Sequence, residues 1–203
     1  MSSRPVPRSW IEEVRDLLAS PPPRRLGPKE MRQASVLVPL YVEAGELWTV
    51  LTQRSEFLAL HRSQIAFPGG AREVGEGAWE AAVRETEEEI GIVAGTILHL
   101  GELDEAETPS GFRIIPCVGA VPSPLVAEAN PDEIAEVFSV PLRALADPRL
   151  IEDRRIVFNG EPRMLRIYHF GRRQIWGVTA RIVQNLLERL GLGTLEAPPD
   201  GVD

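Results

Sequence analysis

The sequence predicts an α/β fold, a mixed β-sheet with helices on both faces. Strand-like and helix-like segments interleave along the chain, which calls for a sheet covered by helices. The first two strand-like segments are joined by a four-residue turn, so the sheet cannot be purely parallel. With 203 residues and 43% hydrophobic content, the chain can fill one core and is short for two full domains.

Each element has a local reason. Ser9 caps a short helix through Leu18, on which Trp10, Val14, Leu17 and Leu18 form an apolar stripe, and Pro21, Pro22 and Pro23 stop it. Residues 24–32 form a charged, proline-punctuated connector. Residues 34–42 and 47–52 read as two strands around the turn at residues 43–46. A helix is expected over 78–90, then strands over 96–103 and 113–121, separated by an acidic, proline-bearing loop at 104–111 that could meet the functional site. Residues 133–140 read as another strand, 142–146 as a short helical piece after Pro141, and 164–170 as the last strand. Apolar residues at 175, 176, 178, 182, 183, 186, 187 and 190 predict a closing amphipathic helix that ends before Gly191. The expected division is residues 1–33 as an N-terminal helix and connector packing on the domain, 34–192 as the domain, and 193–203 as a flexible tail.

The helix at 78–90 carries the chemistry. At roughly 100° per residue, Glu85, Glu88 and Glu89 share one face, whereas Trp79, Val83, Thr86 and Ile90 cluster on a side suited to burial. Ala78 and Ala81 leave room beside the carboxylates. Three carboxylates at i, i+3 and i+4 spacing repel one another, and hard oxygen donors of this kind suit Mg²⁺, Mn²⁺ or Ca²⁺. An acidic run alone more often marks a solvated face. Here Pro68, Gly69 and Gly70 supply a sharp turn before the helix and Gly91 a stop after it, which delimits loop, helix and loop as one unit.

Gly70, Glu76, Arg84, Glu85, Glu88, Glu89, Gly91 and Ile92 stand at the spacing G-x5-E-x7-R-E-U-x-E-E-x-G-U, where U is a bulky apolar residue. This string resembles the Nudix box, the signature of hydrolases that cut a diphosphate linked to another moiety, and departs from it only at Thr86. The resemblance implies the α/β/α sandwich of the Nudix fold. It also implies that Glu85, Glu88 and Glu89 hold Mg²⁺, with Mn²⁺ possible, helped by Glu76 and the Gly70 carbonyl, and that Arg84 orients a carboxylate. Proton transfer could fall to Glu85, to Glu136 or to a carboxylate on the 104–111 loop. Glu133 and Glu136 could alternatively bind a further ion or face solvent.

Residues outside the box must select the substrate. Residues 50–55 (VLTQRS), His61, Gln64 and residues 67–70 (FPGG) resemble the signature of the coenzyme A diphosphatase branch, with departures at Ala59 and Ser63. Residues 130–142 and 175–181 are similar to that branch too, so the likeness spans about residues 35–185. Candidate substrate contacts are Arg54, His61, Gln64 and Phe67, although pairing with a box glutamate is the stronger reading for Arg54 and a backbone hydrogen bond for His61. Trp176 and Gly177 read as a packing pair at the start of the last helix. Pro109, seventeen residues after Ile92, sits close to where ADP-sugar hydrolases carry a proline, which keeps ADP-ribose as a second substrate. A box-bearing module that binds nucleotide derivatives without cutting them is disfavoured by the intact acidic core.

Composition narrows the partners. A net charge of −8, with glutamate at seven of the seventeen residues 73–89, disfavours nucleic acid and leaves a small nucleotide as substrate, since bound metal can reverse the local sign. The only cysteine, Cys117, lies in an apolar stretch and reads as core packing. No long apolar run or secretion signal is visible, so the expectation is a cytoplasmic protein without membrane partners, monomeric or homodimeric.

Overall fold

The computed structural model describes residues 9–55, 64–158 and 160–193. His61, Ala59 and Ser63 lie outside these residues, as does nearly all of the expected tail. Helix α1 spans Trp10–Ala19. Ser9 Oγ accepts from the Glu12 N–H while the Glu12 carboxylate accepts from the Ser9 N–H, a reciprocal cap that satisfies two otherwise unpaired amides.

Among the described residues, the main sheet has the order β3-β2-β1-β7-β5, with β8 also on β2, β4 on β1 and β6 on β7. Its strands are β1 (Arg32–Glu43), β2 (Glu46–Arg54), β3 (Ile65–Ala66), β4 (Gly69–Ala71), β5 (Leu98–Glu102), β6 (Ala106–Glu107), β7 (Phe112–Ala120) and β8 (Ile134–Pro141). The β1–β7 pairing is parallel and the rest are antiparallel, the mixed arrangement that the opening hairpin requires. Alternation along β1 divides the core. Val38 and Leu40 point into one apolar cluster with Val14 and Leu18 of α1, whereas Leu37 and Tyr41 point into another with Cys117. Helix α2 (Ala78–Ile90) covers the second cluster, and α1 and α4 (Gly177–Arg189) cover the first, giving an α/β/α sandwich.

The two central strands diverge, and this creates the site. β1 and β2 pair only from Leu40↔Thr49 to Glu43↔Glu46. Below that level the segment 64–71 fills the fork, β3 pairing with Thr52 and Gln53 of β2 and β4 with residues 34–36 of β1. The Leu37 N–H donates to the Pro68 carbonyl at the crossing. Gly69 runs through with φ +151°, so close to β1 that an added Cβ would lie 2.5 Å from the Val36 Cα.

A second sheet, β11-β10-β9, joins β9 (Ile151–Phe158), β10 (Glu161–Phe170) and β11 (Arg173–Ile175). β9 was not expected, and β10 begins three residues before the predicted 164. β9 has no fully buried residue and is rich in charge, so no apolar alternation announces it; Asp153 and Arg166, directly opposed across the ladder, pair at 2.6 Å. Ile175 belongs to β11, and the last helix starts two residues later than predicted. The helical piece after Pro141 is α3 (Leu142–Leu145). Among the described residues, no helix is long and apolar enough to cross a membrane.

Candidate functional site

Helix α2 is fixed by the face that carries no charge. Ala82, Thr86 and Ile90 are buried, and Trp79 and Val83 pack against the cluster of Leu37, Tyr41, Val50, Ile97 and Cys117. The Thr86 hydroxyl donates to the Ala82 carbonyl at 2.7 Å, so the polar group at the one departing box position is satisfied within its own helix. Gly91, at φ +69°, ends the helix as a left-handed cap whose N–H donates to the Glu87 carbonyl. The carbonyls of Glu89 and Ile90 then accept from the Asn130 and Glu128 amides, which straps residues 128–133 across the helix end. Burial pushes the Cys117 thiol up to about 12, in keeping with packing rather than reactivity.

The opposite face grades from core to solvent. Glu89 is 3% exposed, Glu85 is half-buried and Glu88 is exposed. Glu89 Oε2 accepts from the Gly69 N–H at 3.1 Å and Oε1 from Arg54 Nη1 at 3.2 Å. Burial nonetheless pushes its carboxyl up to about 7, reinforced by the charges of Glu85 and Glu133 and opposed by the Gly69 amide and Arg54. Burial also raises Glu85, against the pull of Arg84. The Arg84 guanidinium bridges the box: its Nε reaches Glu76 Oε1 at 2.8 Å, and its Nη1 reaches Glu85 Oε1 at 2.9 Å and Glu88 Oε2 at 3.1 Å. That pairing, with the Glu73 N–H, holds the Glu76 carboxyl down at about 2. Arg84 therefore pairs at once with the carboxylates of Glu76, Glu85 and Glu88.

Gly70 sits directly against this face. An added Cβ would lie 2.5 Å from the Glu85 carboxylate, so the glycine leaves a cradle between β4 and α2 that any side chain would fill. Among the described residues, no three acidic, histidine or cysteine side chains are gathered around one point; the carboxylates are instead held through Arg84, Arg54 and the Gly69 amide. The donor set fits a hard divalent cation: carboxylates of Glu85, Glu88 and Glu89 and a backbone carbonyl at Gly70, all oxygen, beside partly desolvated negative charge.

The remaining candidates divide. Arg54 joins the site through Glu89, and its N–H is held by the Gln64 carbonyl at 3.0 Å, which brings residue 64 beside it. Phe67 does not line a substrate surface: it is 3% exposed within the first apolar cluster, because the strand that offers Gly69 to β1 turns the preceding aromatic inward. Glu136 is held by both Nε and Nη2 of Arg173, whose guanidinium lies 4.3 Å from the Phe138 ring centre. Glu133 is the β8-side carboxylate whose charge acts on Glu85 and Glu89, and the strap across the α2 end brings it there. Trp176 is 45% exposed, so it does not form the expected packing pair with Gly177. Asp104 and Glu105, at the start of the 104–111 loop, face Arg24, Leu26 and Arg189 rather than the box. Arg72 was missed: its guanidinium donates to the Glu76 carbonyl and closes the loop before α2. The signal available was a lone cation between Gly70 and the acidic run.

Comparison with known proteins agrees with this geometry. A description of the NUDIX domain matches residues 31–159. The protein described as uncharacterized Nudix hydrolase NudL from Photorhabdus laumondii is 33% identical over 171 residues, covering 84% of this chain and 90% of its own. Its namesake from Escherichia coli K12 is 33% identical over 162 residues, covering 79% and 84%. Among solved structures, a MutT/nudix family protein from Enterococcus faecalis superposes with a TM-score of 0.55 at 19% identity, over 82% of this chain and 64% of that one. With the box residues Arg84, Glu85, Glu88 and Glu89 on α2 and the fork holding Gly70 against them, this chain belongs to the Nudix hydrolase family.

Proposed function

We propose that this chain hydrolyses the diphosphate bond of coenzyme A or its derivatives, releasing 3',5'-ADP and 4'-phosphopantetheine or its acyl form. Nudix hydrolases act on phosphoric anhydride bonds and generally use divalent ions such as Mg²⁺. The observation that carries the reaction class here is the graded acidic face of α2 pressed against the side-chain-free Gly70. Support for coenzyme A comes from the segments at 50–70, 130–142 and 175–181 that resemble that branch.

A bound Mg²⁺ would supply charge neutralisation for the phosphate oxygens and lower the cost of deprotonating water. Glu85, Glu88 and Glu89 are the residues to hold it, with the Gly70 carbonyl. Arg84 keeps Glu76, Glu85 and Glu88 aligned, and Arg54 fixes Glu89 while presenting the cation of β2 nearest the site. In this reading Glu133, whose charge bears on Glu85 and Glu89, accepts a proton from the attacking water. Hydrolysis then forms one P–O bond to water and breaks the bridging P–O bond.

The test is a panel of coenzyme A, its acyl and oxidised forms, ADP-ribose, NADH and dinucleoside polyphosphates with Mg²⁺, ranked by kcat/KM. Coenzyme A forms should lead; a tenfold preference for ADP-ribose would move the chain to the second substrate and leave the diphosphatase chemistry standing. Glu89→Gln should lower turnover by about two or more orders of magnitude with unchanged folding, since it removes a ligand charge at a site already paired by neutral and cationic donors. Wild-type turnover in that variant would remove the acidic face from the mechanism.

A further inference from the structure

Ser35 is fully buried in β1, and among the described residues its hydroxyl has no hydrogen-bond partner. An unpaired buried hydroxyl is unfavourable, and an apolar side chain would serve packing better at this position. Its surroundings explain what it faces. Ser35 pairs directly with Gly70 across the antiparallel β1–β4 ladder, and directly opposed residues project to the same face about 5 Å apart. For Gly70 that face is the one where a Cβ would meet the Glu85 carboxylate at 2.5 Å. Alternation along β1 agrees, since Leu37, two residues on, lies in the cluster beneath α2. The Ser35 hydroxyl and the Glu85 carboxylate therefore open onto the same cradle, one with an unused donor and the other held by Arg84.

We infer that Ser35 is a positioning residue for Glu85: its hydroxyl would donate to the Glu85 carboxylate and fix its orientation when that carboxylate serves as a metal ligand. This rests on the reading of Glu85 as a metal ligand. Ligand carboxylates are commonly held by a second hydrogen bond of this kind, whose loss lowers metal affinity or activity by about 10–100-fold. The unpaired hydroxyl is then a group whose partner arrives with the ligand.

The experiment compares wild type, Ser35→Ala, Ser35→Cys and Glu85→Gln by Mn²⁺ binding, thermal melting and steady-state kinetics. Ser35→Ala should melt no lower than wild type, bind Mn²⁺ about tenfold more weakly and lose kcat with little change in KM. Ser35→Cys, which keeps similar volume with a poor donor, should match it in Mn²⁺ affinity. A lowered Tm in Ser35→Ala, or recovery of Mn²⁺ affinity in Ser35→Cys, would assign the effect to packing and overturn the role. So would wild-type Mn²⁺ affinity in Ser35→Ala while Glu85→Gln loses it. Wild-type affinity in Glu85→Gln would instead remove the ligand reading itself.

Discussion

Two adjacent glycines fail in different ways when given a side chain. At Gly69 a methyl group would meet the β1 backbone, including the Val36 Cα at 2.5 Å, and φ is +151°. Neither neighbour can move without opening the fork, so Gly69→Ala should lower stability by about 1–3 kcal/mol. At Gly70 the obstacle is the end of the Glu85 side chain, which can swing away. Gly70→Ala should therefore melt near wild type yet lose at least about tenfold in kcat, because Glu85 leaves its place. Urea unfolding and steady-state kinetics on both variants check this contrast; equal losses of stability would refute it. The sequence identified both glycines from the box and the preceding turn. It could not distinguish them, because the difference lies in β1, more than thirty residues upstream. Phe67 was misread for a related reason: its burial depends on the fork between β1 and β2, a tertiary feature with no local pattern.

At the scale of elements, legibility followed where the stabilising contacts originate. Helix α2 was readable because its two faces are written in its own periodicity, and α1 because Ser9 caps it locally and its apolar stripe repeats at helical spacing. The two- and three-residue strands β3, β4, β6 and β11 are too short to show a period; β6 and β11 pair with the neighbouring strands β7 and β10, whereas β4 takes its hydrogen bonds from β1, more than thirty residues away. β9 hides behind its charges and depends on β10 opposite. The division of α2 makes a prediction of its own. Thr86 is buried but its hydroxyl bonds only within the helix, so Thr86→Val should shift stability by less than about 1 kcal/mol and leave kcat and metal affinity unchanged. A melting curve with a turnover assay suffices. A marked fall in turnover at wild-type stability would mean that the apolar and acidic faces are coupled.

Across the whole molecule, the layer opposite α2 is closed by charge. Asp104 joins three pieces of chain: its carboxylate accepts from the Arg24 N–H at 3.0 Å and side chain and from Arg189 Nη2 of α4 at 2.8 Å, while its own N–H donates to Asn185. Arg25 pairs with Glu102 and Lys29 with Glu107, extending this attachment of the connector along β5 and β6. Burial alone would raise the Asp104 carboxyl, but the Arg24 amide and the two guanidinium groups together hold it at about 2, below the ordinary 3.8. Folding thus favours the ionised form, and the resulting stability is complete above the unfolded value and disappears as pH falls through the folded one. Because Arg24 is largely exposed and screened by solvent, the contribution is of order 1 kcal/mol. Asp104→Asn should accordingly be less stable than wild type at pH 7, and urea unfolding of the pair should show the gap closing between about pH 4 and pH 2. Turnover below the melting range should be unchanged, since the sandwich sets this clamp against α4 and the carboxylates of α2 on the other side of the sheet. A stability gap independent of pH would show that Asp104 acts through shape, and a loss of turnover at full folding would show that the two faces of the sheet communicate.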